Sequence, residues 1–168
     1  MDKTQRNLWA IAAGYVVFLM LFLSHFGFNP SATINFSDRH IVQYKGEIPS
    51  GIVVHHNDGF DGQYYYFIAL NPSFSNIQNV GWNFLQRIIY PSLARLLTLS
   101  LPPFSIDFLP LALLLVNLFS ALISSMLLMK LLVKYGSSPN WAFVWAFSTG
   151  ILISLSCNTT ELLMIAFV

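Results

Sequence analysis

The stretch DGFDGQYYY, residues 58–66, concentrates reactive side chains in a chain that has few of them. It holds two of the seven acidic residues, Asp58 and Asp61, together with one glutamine and three consecutive tyrosines. A carboxylate held against an apolar wall is partly desolvated, which raises its pKa and makes the ionised form a stronger base. The pattern therefore predicts general-base chemistry at this stretch.

A simpler interpretation of the same stretch is a turn at a membrane surface. The glycines would then allow the bends, the tyrosines would lie in the aromatic belt of the interface, and the aspartates would be solvated. Against this, the Asp-Gly pair occurs twice, with an offset of three residues, directly before an apolar segment. That repetition favours a tight polar structure with a chemical role.

Two arginines follow in FLQRIIYPSLARLLTL, residues 84–99. Arg87 and Arg95 are eight residues apart, which is about 80° around a helix of 3.6 residues per turn, so one helix would bring both to the same side. Pro91 lies between them and is expected to break or begin the helix. An amphipathic segment with arginines and tyrosines lies on a membrane surface more readily than through it, and arginine suits a phosphate. A base, a phosphate clamp and a lipid boundary together predict chemistry on a lipid-linked phosphate.

The composition indicates the class of protein that must position these residues. The chain is 55% hydrophobic and only 9% charged, whereas soluble domains carry about 25% charged residues. An all-α integral membrane protein is therefore expected. The net charge of +1 argues against nucleic acid, which requires a concentrated basic face, and the single cysteine, Cys157, permits no internal disulfide.

Three apolar stretches predict membrane-spanning helices, at residues 8–26, 108–129 and 139–156, by comparison with the ~20 residues that a bilayer requires. A fourth begins at 161–168 and is cut short, so we expect the chain to be the front part of a longer protein; a stub packed on the third helix is the alternative. Cations before the first stretch also fit a secretory signal peptide. The first apolar run is longer than the core of such a peptide, which favours a retained anchor.

The short basic flanks predict the orientation. Lys3 and Arg6 precede the first span, and Lys130 and Lys134 follow the second, so these flanks are expected to be cytoplasmic. The loop 27–107 then faces the exoplasmic side. Its own cations do not oppose this, because loops longer than about 60 residues translocate largely regardless of charge. The polar first part of the loop contains one β-like segment, GIVVHH.

The blocks GFDGQYYYFIALNP and QRIIYPSLARLL resemble the first exoplasmic loop of bacterial membrane glycosyltransferases of the GT-C superfamily. Those proteins commonly show a Gly-aromatic-Asp-Gly-Gln-aromatic-Tyr block, then an acid-Pro pair, then an Arg-x-x-Tyr-Pro block. The corresponding residues here are 59–65, 71–72 and 87–91. The layout is also similar: an anchor helix, a long outer loop with an early aspartate, and then further hydrophobic helices.

The resemblance implies the N-terminal part of a GT-C-like multi-helix fold in the bacterial inner (plasma) membrane, whose long exoplasmic first loop contains interfacial helices. It implies transfer of a sugar from a polyprenyl-phosphate donor to a glycan, lipid or protein acceptor, in the assembly of cell-surface glycans or glycolipids. Asp61 matches the catalytic position and would act as general base, with inversion at the anomeric carbon. Asp58 lies just outside the common block.

This sequence departs from the family pattern in two ways. Asn71 stands where relatives have an acid before Pro72, and Cys157 and Asn158 stand where relatives often have Arg-Asp. The later helices of the family supply much of the donor site, so this chain alone is expected to be inactive.

The other predicted site residues are assigned to substrate binding. They are Asp58, Gln63, Tyr64, Tyr65, Arg87, Tyr90 and Arg95. No cofactor is firmly predicted. A divalent metal held by His55 and His56 with the two aspartates is an alternative, since imidazole and carboxylate are competent ligands. It is weakened because adjacent side chains on a strand-like segment point to opposite faces.

Two other functions stay open. One is a non-catalytic small membrane protein whose outer loop binds a lipid or a protein partner. The other is a transporter fragment, which is disfavoured because no aspartate, glutamate, lysine or arginine lies inside the three spans. Near the end of the chain, residues 158–160 fit the glycosylation acceptor pattern, and Glu161 fits a charge at the start of a helix.

Overall fold

The computed structural model of the chain describes residues 2–39, 50–56, 59–70, 87–100 and 106–166, and these are mostly helical. The α-helices are α1 (Lys3–Ser24), α2 (Gly62–Leu70), α3 (Ile89–Ser100), α4 (Leu109–Lys134), α5 (Trp141–Ala146), α6 (Thr149–Cys157) and α7 (Glu161–Ala166). Strands β1 (Phe36–Ser37) and β2 (Val54–His55) pair in parallel, and short 3-10 helices cover Pro30–Ile34 and Ile106–Phe108.

Helix α1 begins at a capping box and buries one narrow stripe. The Asp2 carboxylate accepts a hydrogen bond from the backbone N–H of Gln5 at 2.7 Å, and the Gln5 side chain accepts one from Asp2 at 3.2 Å. The buried residues recur at every fourth position: Asn7, Ile11, Tyr15, Leu19 and Leu23. Since positions four apart lie on one side of a helix, α1 packs one side against the rest of the protein and leaves the other exposed.

Helix α4 is the central element. Pro110 stands in its first turn, where a missing N–H breaks no helical hydrogen bond. The buried side chains of α4 contribute to two hydrophobic clusters, one shared with α1, α5 and α6 and one shared with the loop helices α2 and α3. In the described part of the chain, α1 and α4 are the helices long and apolar enough to cross a membrane.

The third apolar stretch does not form one helix. It is divided into α5 and α6, and between them Ser148 takes an extended conformation at φ −64°, ψ 150°. Phe147, just before this break, turns its ring onto α1, where the absence of a side chain at Gly14 leaves room for it. The ring centroids of Phe147 and Tyr15 lie 5.6 Å apart. The break therefore gives α1 an aromatic contact that a straight helix would have placed elsewhere.

The described part of the loop folds back onto the first half of α4. The 3-10 helix Pro30–Ile34 is capped by the side chain of Asn29, and β1 follows it and pairs with β2, as the GIVVHH segment predicted. Helices α2 and α3 then pack against α4 through a cluster that includes Phe36, Tyr65, Tyr66, Tyr90 and Leu113. This packing fixes the start of α2, where the predicted catalytic residue lies.

Candidate active site

Asp61 lies immediately before α2, in a turn that the two neighbouring glycines permit. Gly59 has φ +74°, a conformation that residues with a side chain rarely adopt. The backbone carbonyl of Asp61 accepts hydrogen bonds from Tyr64 at 3.0 Å and Tyr65 at 3.2 Å, which begins the helix. The carboxylate is thereby held at the helix start, with 42% of the side chain exposed.

Gly62 determines how close this helix start comes to the rest of the protein. A Cβ at this position would collide with the backbone carbonyl oxygen of Cys157 and would lie 2.8 Å from that of Ile34. Asn158 holds together the two segments that Gly62 contacts. Its left-handed backbone ends α6, and its side chain donates a 2.7 Å hydrogen bond to Thr33 Oγ1. The contact places Asp61 beside the end of α6 and the start of α7.

Arg87 joins three segments of the chain through a single nitrogen atom. Its Nη1 lies 3.9 Å from Asp61 Oδ2 and 3.4 Å from Glu161 Oε1. The same nitrogen donates to the hydroxyls of Tyr65 and Thr160, at 3.3 Å each. These five residues, Asp61, Tyr65, Arg87, Thr160 and Glu161, are called the charged cluster below.

The surroundings of Asp61 favour its protonated form. Burial raises the pKa of the Asp61 carboxyl above its ordinary value, and the negative charge of Glu161 raises it further, whereas Arg87 lowers it. The pKa of Arg87 is raised in turn, first by its hydrogen bond to Tyr65. Asp61 is therefore a partly desolvated carboxylate beside a cation, which is the environment of a general base.

Tyr90 and Gln63 lie beneath the charged cluster and are closed to solvent. Tyr90 is fully buried; its hydroxyl donates to the carbonyl of Leu113 at 3.1 Å, and its ring meets that of Tyr65 edge to face at 5.5 Å. Gln63 accepts a 3.2 Å hydrogen bond from the backbone of Ser37. Both residues were predicted to bind substrate, but in this structure they are buried and contact other parts of the protein.

The tyrosines of α2 do not form an interfacial belt. Tyr65 and Tyr66 are fully buried, and only Tyr64 is partly exposed. The pKa of the Tyr64 hydroxyl is raised by burial and then by the charge of Asp61, which indicates that the two side chains lie near each other. Of the three, Tyr64 is the one whose side chain is partly accessible to solvent.

The structure does not bring Arg95 to the charged cluster. Helix α3 begins at Ile89, after Arg87, so the two arginines are not on one helix and the expected shared side is not formed. Pro91 lies in the first turn of α3, as expected of a proline that begins a helix. Among the described residues, no hydrogen bond or ion pair links the Arg95 side chain to Asp61 or Arg87.

The two histidines have separate partners. His55 is half-buried and its Nε2 lies 3.2 Å from the carbonyl oxygen of Ala32, whereas the exposed His56 lies 3.4 Å from the Asp38 carboxylate. They thus contact different neighbours, with His55 at the end of β2 and His56 just after it. Within the described ranges, no three histidine, cysteine, aspartate or glutamate side chains are close enough to hold a metal ion. Asp58 lies outside the described residues.

Thr160 and Glu161 are members of the charged cluster that the sequence did not assign to the site. The available signal was an acidic residue standing at the start of an apolar run. Residues 158–160 had instead matched a glycosylation acceptor pattern. The acceptor Asn158 is fully buried and hydrogen-bonded to Thr33, so its amide is not accessible to a modifying enzyme in this structure.

A groove of about 300 Å³ lies apart from the charged cluster. It is lined by Asn29, Pro30, Ser31, Ser50, Gly51, Ile52, Tyr66, Asp107 and Pro110. The groove contains none of the residues that contact Arg87. Its carboxylate, Asp107, is therefore not part of the arrangement that surrounds Asp61.

Comparison of the chain with family models, with curated proteins and with solved structures gives no match.

Proposed function

We propose that the chain is the N-terminal part of an integral membrane glycosyltransferase that moves a sugar from a polyprenyl-phosphate donor to an acceptor on the exoplasmic face. The observation that carries this proposal is the pairing of Asp61 with Arg87 across 3.9 Å at a partly exposed surface. One side chain can take a proton from an acceptor hydroxyl, and the other can neutralise a phosphate.

The exposed apolar surface of the chain supports a membrane location. On α1, side chains such as Trp9, Val17 and Leu21 are more than half exposed. Helix α3 also exposes Ile89, Leu93, Leu96 and Leu99 while it buries its opposite side. A helix of this kind suits a position in the membrane surface, with its apolar side toward lipid. We place the N-terminus in the cytoplasm and the loop outside, in a bacterial plasma membrane.

The proposed reaction is a single displacement. The acceptor hydroxyl oxygen attacks the anomeric carbon as Asp61 takes the hydroxyl proton. The bond between the anomeric carbon and the phosphate oxygen breaks, and its electron pair leaves with the polyprenyl phosphate. Arg87 stabilises the negative charge on that phosphate. Attack from the side opposite the leaving group inverts the anomeric configuration.

The test of the base is Asp61→Asn, assayed by sugar transfer from a synthetic polyprenyl-phosphate donor. It is made in the longest natural reading frame that contains this chain. Asparagine keeps the shape but cannot take the proton, so transfer should fall at least about a hundredfold while donor binding persists. Asp38→Asn is the matched control, an exposed acid outside the charged cluster, and should stay near wild type. Activity of Asp61→Asn within a few-fold of wild type would contradict the proposal and favour a loop that only binds a partner.

The phosphate contact is tested separately with Arg87→Lys. Lysine keeps the positive charge but loses the planar fork that matches two phosphate oxygens. Binding of the lipid-phosphate donor should weaken while the protein still folds. Collapse of the protein, with unchanged donor affinity in the folded fraction, would show that Arg87 is structural.

A further inference from the structure

All the contacts that hold Arg87 within the charged cluster use one of its three guanidinium nitrogens. The hydroxyls of Tyr65 and Thr160 and the carboxylates of Asp61 and Glu161 lie at Nη1. Among the described residues, Nε and Nη2 make no hydrogen bond. The side chain is 33% exposed. The described residues thus contact the guanidinium at Nη1 and leave Nε and Nη2 without a hydrogen-bond partner.

The free pair of nitrogens is the one that recognises a phosphate best. Nε and one terminal nitrogen of arginine form a fork whose two N–H groups match two oxygens of a phosphate. Such a fork binds well only if the guanidinium is kept in one orientation, because a mobile arginine loses side-chain entropy on binding. The orientation of Arg87 therefore matters as much as its charge.

We propose that Glu161 is a positioning residue of this site: its carboxylate, with the neighbouring Thr160 hydroxyl, holds Nη1 of Arg87 so that the Nε–Nη2 edge is presented to the donor phosphate. The identity of that anion rests on the proposed function. The holding of Arg87 rests on the contacts alone. Glu161 belongs to α7, so the proposal assigns one wall of the donor site to the segment that follows α6.

This arrangement also keeps the general base apart from the phosphate of the leaving group. Asp61 lies at Nη1, on the held side of the guanidinium, whereas the phosphate would bind at the open edge. The base and the leaving group then share one cation without competing for the same nitrogen. If the guanidinium were free to rotate, its Nε–Nη2 edge could turn toward Asp61. The bound phosphate would then lie against the Asp61 carboxylate.

The holding of Arg87 is tested without any donor, by its modification with phenylglyoxal in the full chain reconstituted in lipid nanodiscs, quantified by mass spectrometry. Glu161→Ala should react about two- to fivefold faster at Arg87 than wild type, the range expected for loss of a partly exposed ion pair. Glu161→Gln should stay close to wild type, because the amide oxygen still accepts from Nη1. Arg95 in the same chain is the internal reference and should not change. Equal rates at Arg87 in all three proteins would overturn the proposal.

The consequence for the donor is tested by binding of farnesyl phosphate to nanodiscs that hold the longest natural reading frame containing this chain, with the same substitutions, because later helices are expected to supply much of the donor site. The dissociation constant should rise about two- to fivefold in Glu161→Ala and be restored in Glu161→Gln. Tighter binding in Glu161→Ala would mean that the carboxylate repels the phosphate, which overturns the positioning role. If wild type binds no farnesyl phosphate while the phenylglyoxal rates differ as expected, Arg87 is positioned by Glu161 but the proposed function is wrong.

Discussion

Gly62, the first residue of α2, rests directly on the backbone carbonyl oxygen of Cys157, the last residue of α6. The carbonyl oxygen of Ile34 is also close to Gly62, at 2.8 Å from the position that a Cβ on this residue would take. Both obstacles are backbone atoms, so neither can rotate aside as a side chain would. The glycine is required here by close approach of two chain segments, and it brings Asp61 next to Thr160 and Glu161.

Gly62→Ala should destabilise the protein by about 1–3 kcal/mol, the usual cost of overpacking a tight contact. The matched control is Gly150→Ala in α6, where a Cβ meets no atom within 4 Å and alanine favours the helix by up to about 1 kcal/mol. Denaturant unfolding of both variants in the same detergent measures the difference. Equal stability of the two variants would contradict the close contact at Gly62.

Replacement of the buried Tyr90 and Tyr66 by phenylalanine should affect stability differently, with a loss expected only at Tyr90. Tyr90 donates a hydrogen bond to Leu113, so Tyr90→Phe should cost about 0.5–1.5 kcal/mol. The Tyr66 hydroxyl is buried and has no hydrogen-bond partner among the described residues, so Tyr66→Phe should be neutral or stabilising. Thermal unfolding of the two variants checks the signs, and a loss of stability in Tyr66→Phe would reveal a partner for its hydroxyl.

Asp61 should make the protein less stable as the pH rises. Burial holds the pKa of Asp61 above its ordinary value of 3.8, so the folded chain binds this proton more tightly than the unfolded chain does. The protonated carboxyl contributes its full stabilisation below pH 3.8, the ordinary pKa. This contribution is lost as the pH rises through the raised pKa of the folded state.

Asp61→Asn cannot ionise and should therefore have a higher Tm than wild type at neutral pH. The difference should shrink as the pH falls toward the ordinary value. The exposed ion pair with Arg87 that the substitution removes is worth little by comparison. Calorimetry across this pH range measures the effect, and a difference that does not vary with pH would show that Asp61 is not desolvated.

The orientation in the membrane is tested by labelling single cysteines with a membrane-impermeant thiol reagent in a Cys157→Ala background. Ser50 and Ser137 are both exposed, and they lie in the loop and in the turn between α4 and α5. Because the short basic flanks are expected to remain inside, a cysteine at Ser50 should be labelled in intact cells and one at Ser137 should not. Labelling at Ser137 but not at Ser50 would show that the topology is the inverse of the one proposed.

The two long helices were predictable because apolar residues continue for most of their length. Their ends were less accurate: α1 begins at Lys3, before the apolar run starts at residue 8, because the capping box of Asp2 and Gln5 extends it through polar residues. Hydropathy records only the apolar part of a helix. It also did not indicate the break between α5 and α6, which follows Phe147, whose ring lies over Gly14 of another helix.

The sequence singled out both Asp61 and Arg87, and the structure places them 3.9 Å apart, whereas the catalytic role of Asp61 stays a prediction. The roles of Thr160 and Glu161 were not, because nothing close to them in sequence indicates that the chain returns to Asp61. The same limit applies to Tyr90: its residue type fits a ligand contact, and only the structure shows that it is buried on Leu113. Contacts between distant segments carry the information that a single sequence lacks.

The close contact of Gly62 with Cys157 has a consequence for biosynthesis. The ribosome completes Asp61 and Arg87 well before it reaches Cys157, Thr160 and Glu161, so the backbone that Gly62 contacts in α6 does not yet exist when α2 leaves the ribosome. This contact can form only after α6 has been synthesised. The charged cluster is consequently one of the last parts of this region to assemble, and an interruption of translation before Glu161 leaves a chain in which Asp61 and Arg87 lack their common support.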